Sequence, residues 1–77
     1  MDSNRKDGKL SHRGIEASYS AYGENKKYSA RATITLHSGD HTTENVIELT
    51  HYFETLKEAE EQIINEIRKR IENILGN

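Results

Sequence analysis

A helix signal near the C-terminal end constrains this chain more than any other feature. Thr55 is followed three residues later by Glu58, the spacing of a capping box, in which two side chains bind backbone N–H groups left free at a helix start. Gly76 is well placed to end the helix. Between Thr55 and Gly76, apolar residues recur at steps of three and four, as one face of a helix requires: Leu56, Ala59, Ile63, Ile67, Ile71 and Ile74. The pattern predicts one long helix beginning at Leu56.

Upstream of the helix, apolar and polar side chains alternate, which is the period of a half-buried β-strand. The alternation predicts strands at about 15–22, 28–37 and 43–52, separated by turn residues at 23–27 and 38–40. Helix and strands are similar in length, because about 20 helical residues and about nine strand residues both span about 30 Å. We therefore predict an α+β fold in which a three-stranded antiparallel sheet is packed on one face by the long C-terminal helix (βββα).

Residues 1–13 contain one large apolar side chain besides Met1, that of Leu10. A segment of this composition buries too little apolar surface to offset the entropy lost on ordering. We predict a flexible N-terminal tail at residues 1–13 and a single βββα domain at residues 14–77. The whole chain is 77 residues long, near the lower limit for a domain that folds alone.

The composition narrows the classes of function. The chain has no cysteine, which excludes a disulfide framework, a thiolate metal site and a cysteine nucleophile. No apolar run approaches the roughly 20 residues that cross a bilayer, and the N-terminus lacks the apolar stretch of a signal peptide. We expect a cytoplasmic protein with no membrane contact. The nearly balanced net charge of -2 disfavours nonspecific binding to phosphates, which clustered Lys and Arg drive.

The sequence contains no recognisable catalytic residue and no cofactor site. The serines have no motif around them, no phosphate-binding glycine loop is present, and Glu60 and Glu61 are assigned to the exterior of the helix. His37 and His41 flank a tight turn that also holds Asp40, and imidazole and carboxylate groups suit zinc or nickel. The turn does not hold both rings on one side, so solvated histidines are the simpler interpretation. We expect a non-enzymatic protein without a bound metal.

Two groups of residues are candidates for binding a partner. Ile64 and Leu75 widen the apolar stripe of the helix, and they either cover the edge of the sheet or contact a partner. On the outward face of the sheet, Tyr22, Arg31, His37 and Tyr52 are placed to form a mixed aromatic and basic strip. That strip is a solvated surface, a protein-binding face or a nucleic-acid-binding face.

The edges of the sheet offer a third route to a partner, because edge strands carry unpaired backbone groups. We predict a module that binds a protein partner or itself, as in a homodimer, through the sheet edge or the helix margin. The predicted partner-binding residues are Ile64, Leu75, Tyr22, Arg31 and Tyr52.

Three local signatures resemble the AP2 and integrase N-terminal type of DNA-binding domain. They are Arg13, Gly14 and Ile15 before the first strand, Lys27, Tyr28 and Ala30 at the second, and Phe53, Thr55, Glu58 and Ala59 at the strand-to-helix junction. The resemblance covers residues 13–62. It implies three strands and a C-terminal helix, with outward Arg and Trp side chains of the sheet reading the major groove. Arg31 is the outward residue here with matching chemistry, and DNA binding by the sheet face is the alternative function.

Overall fold

In the computed structural model, which describes residues 4–76, four strands are followed by one helix. The strands are β1 (Arg5–His12), β2 (Ile15–Glu24), β3 (Lys27–Ser38) and β4 (His41–Glu48), and the helix is α1 (Leu56–Ile74). All neighbours are antiparallel, in the order β1-β2-β3-β4. The α+β class and the long C-terminal helix on the sheet are confirmed. The predicted number of strands is wrong, because the sheet has four strands and not three.

The additional strand, β1, comes from the segment predicted to be a flexible tail. That prediction is wrong for residues 5–12, which pair with β2 along their whole length, from Arg5 opposite Tyr22 to His12 opposite Ile15. Residues 1–3 lie outside the described part of the chain. An edge strand gains its backbone hydrogen bonds from its neighbour whatever its side chains are. A count of large apolar residues therefore underestimates the tendency of such a segment to form a strand.

Two-residue turns set the register of the sheet. Arg13 and Gly14 join β1 to β2 with φ of 53° and 84°, and Asn25 and Lys26 join β2 to β3 with φ of 51° and 62°. Two successive left-handed residues are the requirement of a type I′ turn, whose twist matches that of the strands it connects. A third two-residue turn, at residues 39–40, joins β3 to β4.

The core combines small side chains on the sheet with large ones on the helix. Alanines of β2 and β3 let the helix backbone come close, and isoleucines spaced four apart on α1 fill the remaining space. Every residue of this core is apolar, and among residues 4–76 no polar or charged residue is fully buried. The buried residues are Ala17, Ala21, Ala30, Ala32, Ile34, Ile47, Ala59, Ile63, Ile67 and Ile71.

Both ends of α1 follow the sequence signals. Thr55 has extended φ and ψ of -132° and 155°, and its Oγ1 accepts the Glu58 N–H at 3.1 Å. The Thr55 hydroxyl also donates to the Glu58 carboxylate at 3.1 Å. At the other end Gly76 has a φ of 85°, and its N–H donates to the Asn73 carbonyl at 3.1 Å. The predicted start at Leu56 is confirmed.

The last strand ends earlier than predicted and then bulges. Leu49 N–H still donates to the Ala30 carbonyl at 3.1 Å, but the next backbone pairing with β3 joins Phe53 to Tyr28, with N···O distances of 2.8 and 2.9 Å. Three residues, 50–52, thus face only one residue of β3. Tyr52, the last residue of this bulge, is 67% exposed.

Candidate interaction surfaces

The face of the sheet opposite α1, here called the open face, is four strands wide and polar. One row across it consists of Asp7, Ser20, Arg31 and Glu48. Arg31 lies 3.9 Å from the Glu48 carboxylate. The Ser20 hydroxyl donates to Asp7 at 2.6 Å, and this bond holds the pKa of the Asp7 carboxyl below its usual range, with help from Arg5. Charges along the row compensate one another.

β1 brings two basic residues to the open face that the sequence did not identify as surface partners. Arg5 and Lys9 line a depression together with Arg31 and the serines and threonine between them. Acidic residues occupy the same face, so it carries no clear excess of positive charge. The acidic residues that the register places on the open face include Asp7, Glu16, Glu44 and Glu48.

Tyr22 and Tyr52, both predicted to bind a partner, line the same depression on the open face. Ser29, Glu48 and His51 also line it, and Tyr22 is 38% exposed. The bulge at residues 50–52 places Tyr52 near Tyr22, because a regular strand would have carried Tyr52 further along β3. Arg31 lies outside this depression, two residues after Ser29 on β3. The residues of the strip predicted from the sequence therefore line separate depressions, with His37 in a third.

The two residues of the predicted helix margin have different surroundings. Ile64 is half-buried and packs against the core, as does Leu10 of β1. Leu75 is 42% exposed and lies beside Ile74 at the far end of α1. There Leu75 lines a groove with Ile15 and Leu36. Partner binding by Ile64 and Leu75 stays a prediction.

A polar cluster joins β1 and β2 to α1 near the start of the helix. The Tyr19 hydroxyl donates to Glu60 at 2.7 Å, and the Lys6 ammonium lies 3.3 Å from the other carboxylate oxygen. Burial, reinforced by Glu60, raises the pKa of Tyr19 to about 12. The hydrogen bond from Tyr19, and then Lys6, lower the pKa of Glu60. The placement of Glu60 on the helix exterior is wrong, since its side chain is only 13% exposed.

A second polar cluster joins the β1–β2 turn to the last turns of α1. His12 Nε2 and Arg13 Nη1 each lie 2.8 Å from an oxygen of Glu72. The bond with His12, followed by Arg13, lowers the pKa of Glu72. These contacts and the Glu60 cluster fasten the β1–β2 hairpin to the helix at two points about 12 residues apart on α1, which is roughly 18 Å at 1.5 Å per residue.

The histidines considered as metal ligands are exposed. The His37 ring lies 3.3 Å from the Thr42 hydroxyl, and His41 is exposed at the start of β4. Within residues 4–76 no three or more His, Asp or Glu side chains converge in a way that could hold a metal ion. Over the same residues, no helix has the length and apolar character needed to span a membrane.

The outer edge of β4 presents backbone groups that nothing else in residues 4–76 pairs with. Leu49 bonds to Ala30 of β3, and hydrogen-bonded pairs alternate along an antiparallel ladder. The odd-numbered residues of β4 therefore direct their N–H and C=O groups to β3. The groups directed away from the sheet belong to Thr42, Glu44, Val46 and Glu48.

The two edges of the sheet differ in how they are guarded. On β1, Lys6 points to the helix side, and Arg5 and Lys9 stand on the open face. Basic side chains on an edge, and inward-pointing ones above all, discourage pairing with another strand. The residues of β4 include no Lys, Arg or Pro. Val46, in its middle, is 51% exposed.

A scan against protein-family models found no match, and neither did searches of curated proteins and of solved structures. The resemblance to AP2 and integrase domains thus rests only on the local signatures that suggested it. Inferences about function therefore rest on the surfaces of the molecule.

Proposed function

We propose that this protein is a small non-enzymatic interaction module that binds another protein chain by strand addition at β4. The observation that carries the proposal is the edge strand β4, whose eight residues, His41–Glu48, include no Lys, Arg or Pro. Strand addition draws its affinity from main-chain hydrogen bonds and its specificity from alternate side chains. An added strand would pair with the four residues of β4 whose backbone groups point outward.

Access to this edge is unobstructed on the helix side. The helix packs mainly over β2 and β3, and on β4 Thr43 is exposed while Asn45 is half-buried. Ile47, by contrast, is buried. A strand added beside β4 would cover this flank and extend a core whose sheet side is rich in alanine. The alanine-rich core and the unpaired edge of β4 both favour a partner that adds a β-strand.

A proline substitution tests the proposal with little change to the fold. Val46→Pro removes an N–H that points away from β3, a position where edge strands tolerate proline. The matched control is Ser11→Pro, which removes an outward N–H from the β1 edge. Immobilised wild-type protein and Ser11→Pro should retain the same partner chain, and Val46→Pro should lose it. Equal retention by all three proteins would contradict binding at β4.

The second candidate is DNA binding by the open face, favoured by the depression that Arg5, Lys9 and Arg31 line. It predicts retention on duplex DNA that falls as salt rises, since lysine and arginine release counterions from phosphates. Arg31→Ala should weaken that retention, whereas Arg68→Ala, at an exposed position on α1, should leave it unchanged. Absence of retention at low salt would eliminate this candidate. The acidic residues on the same face make it the weaker of the two.

A further inference from the structure

We infer that the chain added to β4 is β4 of a second copy, antiparallel, with Asn45 opposite Asn45 of that copy. This inference rests on the proposed function and names its partner. It follows from which residues of β4 point outward, from the charges they carry, and from the symmetry that each edge permits.

Pairing of two β4 strands must align groups that already point outward. Those groups belong to every second residue, Thr42, Glu44, Val46 and Glu48. Neighbouring registers consequently differ in which residue sits on the two-fold axis. Near the strand centre the residue opposite itself is Glu44, Asn45 or Val46. With Glu44 or Asn45 on the axis, residues 41–47 or 42–48 overlap, which is seven of the eight residues of β4. With Thr43 or Val46 on the axis only five residues overlap, which disfavours both of those registers.

Charge separates the registers centred on Glu44, Asn45 and Val46. With Glu44 opposite itself, two carboxylates face each other at the centre. With Val46 opposite itself, Glu44 faces Glu48 on both sides of the axis. Like charges directly opposite are destabilising in a sheet. With Asn45 at the centre, Glu44 faces Val46 and Glu48 faces Thr42, so no carboxylate meets another directly.

The helix side of the same register is also self-compatible. Asn45, half-buried on that side, would meet its own copy, and an amide both donates and accepts hydrogen bonds. Thr43 would face Ile47, placing a methyl group against the buried isoleucine. The two-fold axis is perpendicular to the sheet, so the product is a continuous eight-stranded sheet with both helices on one face.

Symmetry also favours β4 over a mixed pairing of edges. Addition of β1 of one copy to β4 of the next is heterologous, and repeated copies would form an open filament unless they closed a ring. Pairing of β4 with itself is isologous and stops at two copies. The remaining edges of the dimer are both β1, where Lys6 reaches over the sheet to Glu60 at 3.3 Å and guards against further addition.

Single cysteines test the register directly, because the chain has none of its own. Residues directly opposite in a non-hydrogen-bonded antiparallel pair have Cα atoms about 4.5 Å apart, within the range that a disulfide spans. Asn45→Cys should therefore form a disulfide-linked dimer under mild oxidation at least about tenfold faster than Lys9→Cys on the β1 edge. Glu44→Cys and Val46→Cys report on the two shifted registers and should both be slower than Asn45→Cys.

Sedimentation of the cysteine-free protein gives a second measurement that no new thiol can influence. The mass should rise with concentration from 8.8 kDa towards twice that value for wild type and Ser11→Pro, and stay at 8.8 kDa for Val46→Pro. Faster crosslinking of Glu44→Cys or Val46→Cys overturns the register. A wild type that stays monomeric at millimolar concentration overturns the second copy as partner. If Val46→Pro still abolishes retention of a different protein in that case, strand addition at β4 stands, and if it does not, both proposals fall.

Discussion

Gly8→Ala tests whether the packing of β1 against Tyr19 contributes to the stability of the fold. Gly8 lies directly opposite Tyr19 across the β1–β2 pair. A Cβ at Gly8 would lie 2.8 Å from Tyr19 Cε2 and still closer to Cζ and the hydroxyl oxygen. The Tyr19 ring thus occupies the space that a side chain on residue 8 would fill. Any substitution there must displace the ring.

The magnitude follows from what the displaced ring loses. Its hydroxyl donates to the Glu60 carboxylate at 2.7 Å, and a hydrogen bond to a charged group is worth about 1.5–3 kcal/mol. Replacing glycine by alanine returns about 0.4–1 kcal/mol by restricting the unfolded chain. The net expectation is a loss of about 1–2 kcal/mol in the free energy of unfolding, and each kcal/mol lowers Tm by about 4–8 °C in a domain of this size.

Urea denaturation followed by far-ultraviolet circular dichroism measures the change, and a double-mutant cycle isolates its cause. In a Tyr19→Val background the ring is gone, so Gly8→Ala should be neutral or should stabilise by about 0.4–1 kcal/mol. Ser11→Ala, at an exposed position of β1, is the control and should change the free energy by less than about 0.5 kcal/mol. The reasoning is refuted if Gly8→Ala has no effect in wild type, or has the same effect in both backgrounds.

Three further perturbations address the helix, the core and the Glu60 cluster. Thr55→Ala should lower the free energy of unfolding by about 1 kcal/mol in urea denaturation, whereas Thr55→Ser should retain the cap; equal losses would contradict the capping role. Ile67→Ala should cost about 2–5 kcal/mol and lower Tm sharply, since its side chain is fully buried; a loss below 1 kcal/mol would mean that the site is not close-packed. Because Glu60 has a lowered folded pKa, its contribution is present above its ordinary pKa of 4.5 and is lost as pH falls. Stability measured from pH 7 to pH 3 should therefore fall less steeply in Glu60→Gln than in wild type, and parallel curves would refute this. At alkaline pH the sign reverses, because the raised pKa of Tyr19 gives a contribution present below pH 10.0 and lost as pH rises through about 12.

The local signals in the sequence predicted the elements that local interactions decide. Thr55 and Glu58 are three residues apart, and their hydrogen bond forms within one turn of helix, so its start could be predicted without knowledge of the rest of the fold. The isoleucines spaced along α1 predicted its buried face in the same way. The alternation in β2 and β3 worked because both strands are central and have one face against the helix.

The candidate surfaces were less predictable, because contacts distant in sequence create them. Tyr22 and Tyr52 line one depression, and the bulge at residues 50–52 brings Tyr52 back along β3 towards it. The apolar pattern of the helix allowed Ile64 either to cover the sheet edge or to contact a partner, and the structure shows it half-buried against the core. A two-residue turn with glycine at its second position, Arg13–Gly14, was the one local sign of a hairpin before β2.

The helix with its start and buried face, and the two central strands, could be predicted because each depends on residues within a few positions of one another. The absence of cysteine chemistry follows from composition alone. By contrast, contacts between distant parts of the chain make residues 5–12 a strand. That segment has little apolar surface of its own, and it is held by backbone pairing to β2, by the Tyr19 ring lying over Gly8, and by Lys6 at Glu60. Because β1 forms one edge of the sheet, β4 forms the other. The two edges differ in that β1 carries basic residues and β4 has no Lys or Arg, and this difference depends on the order of the strands in the sheet.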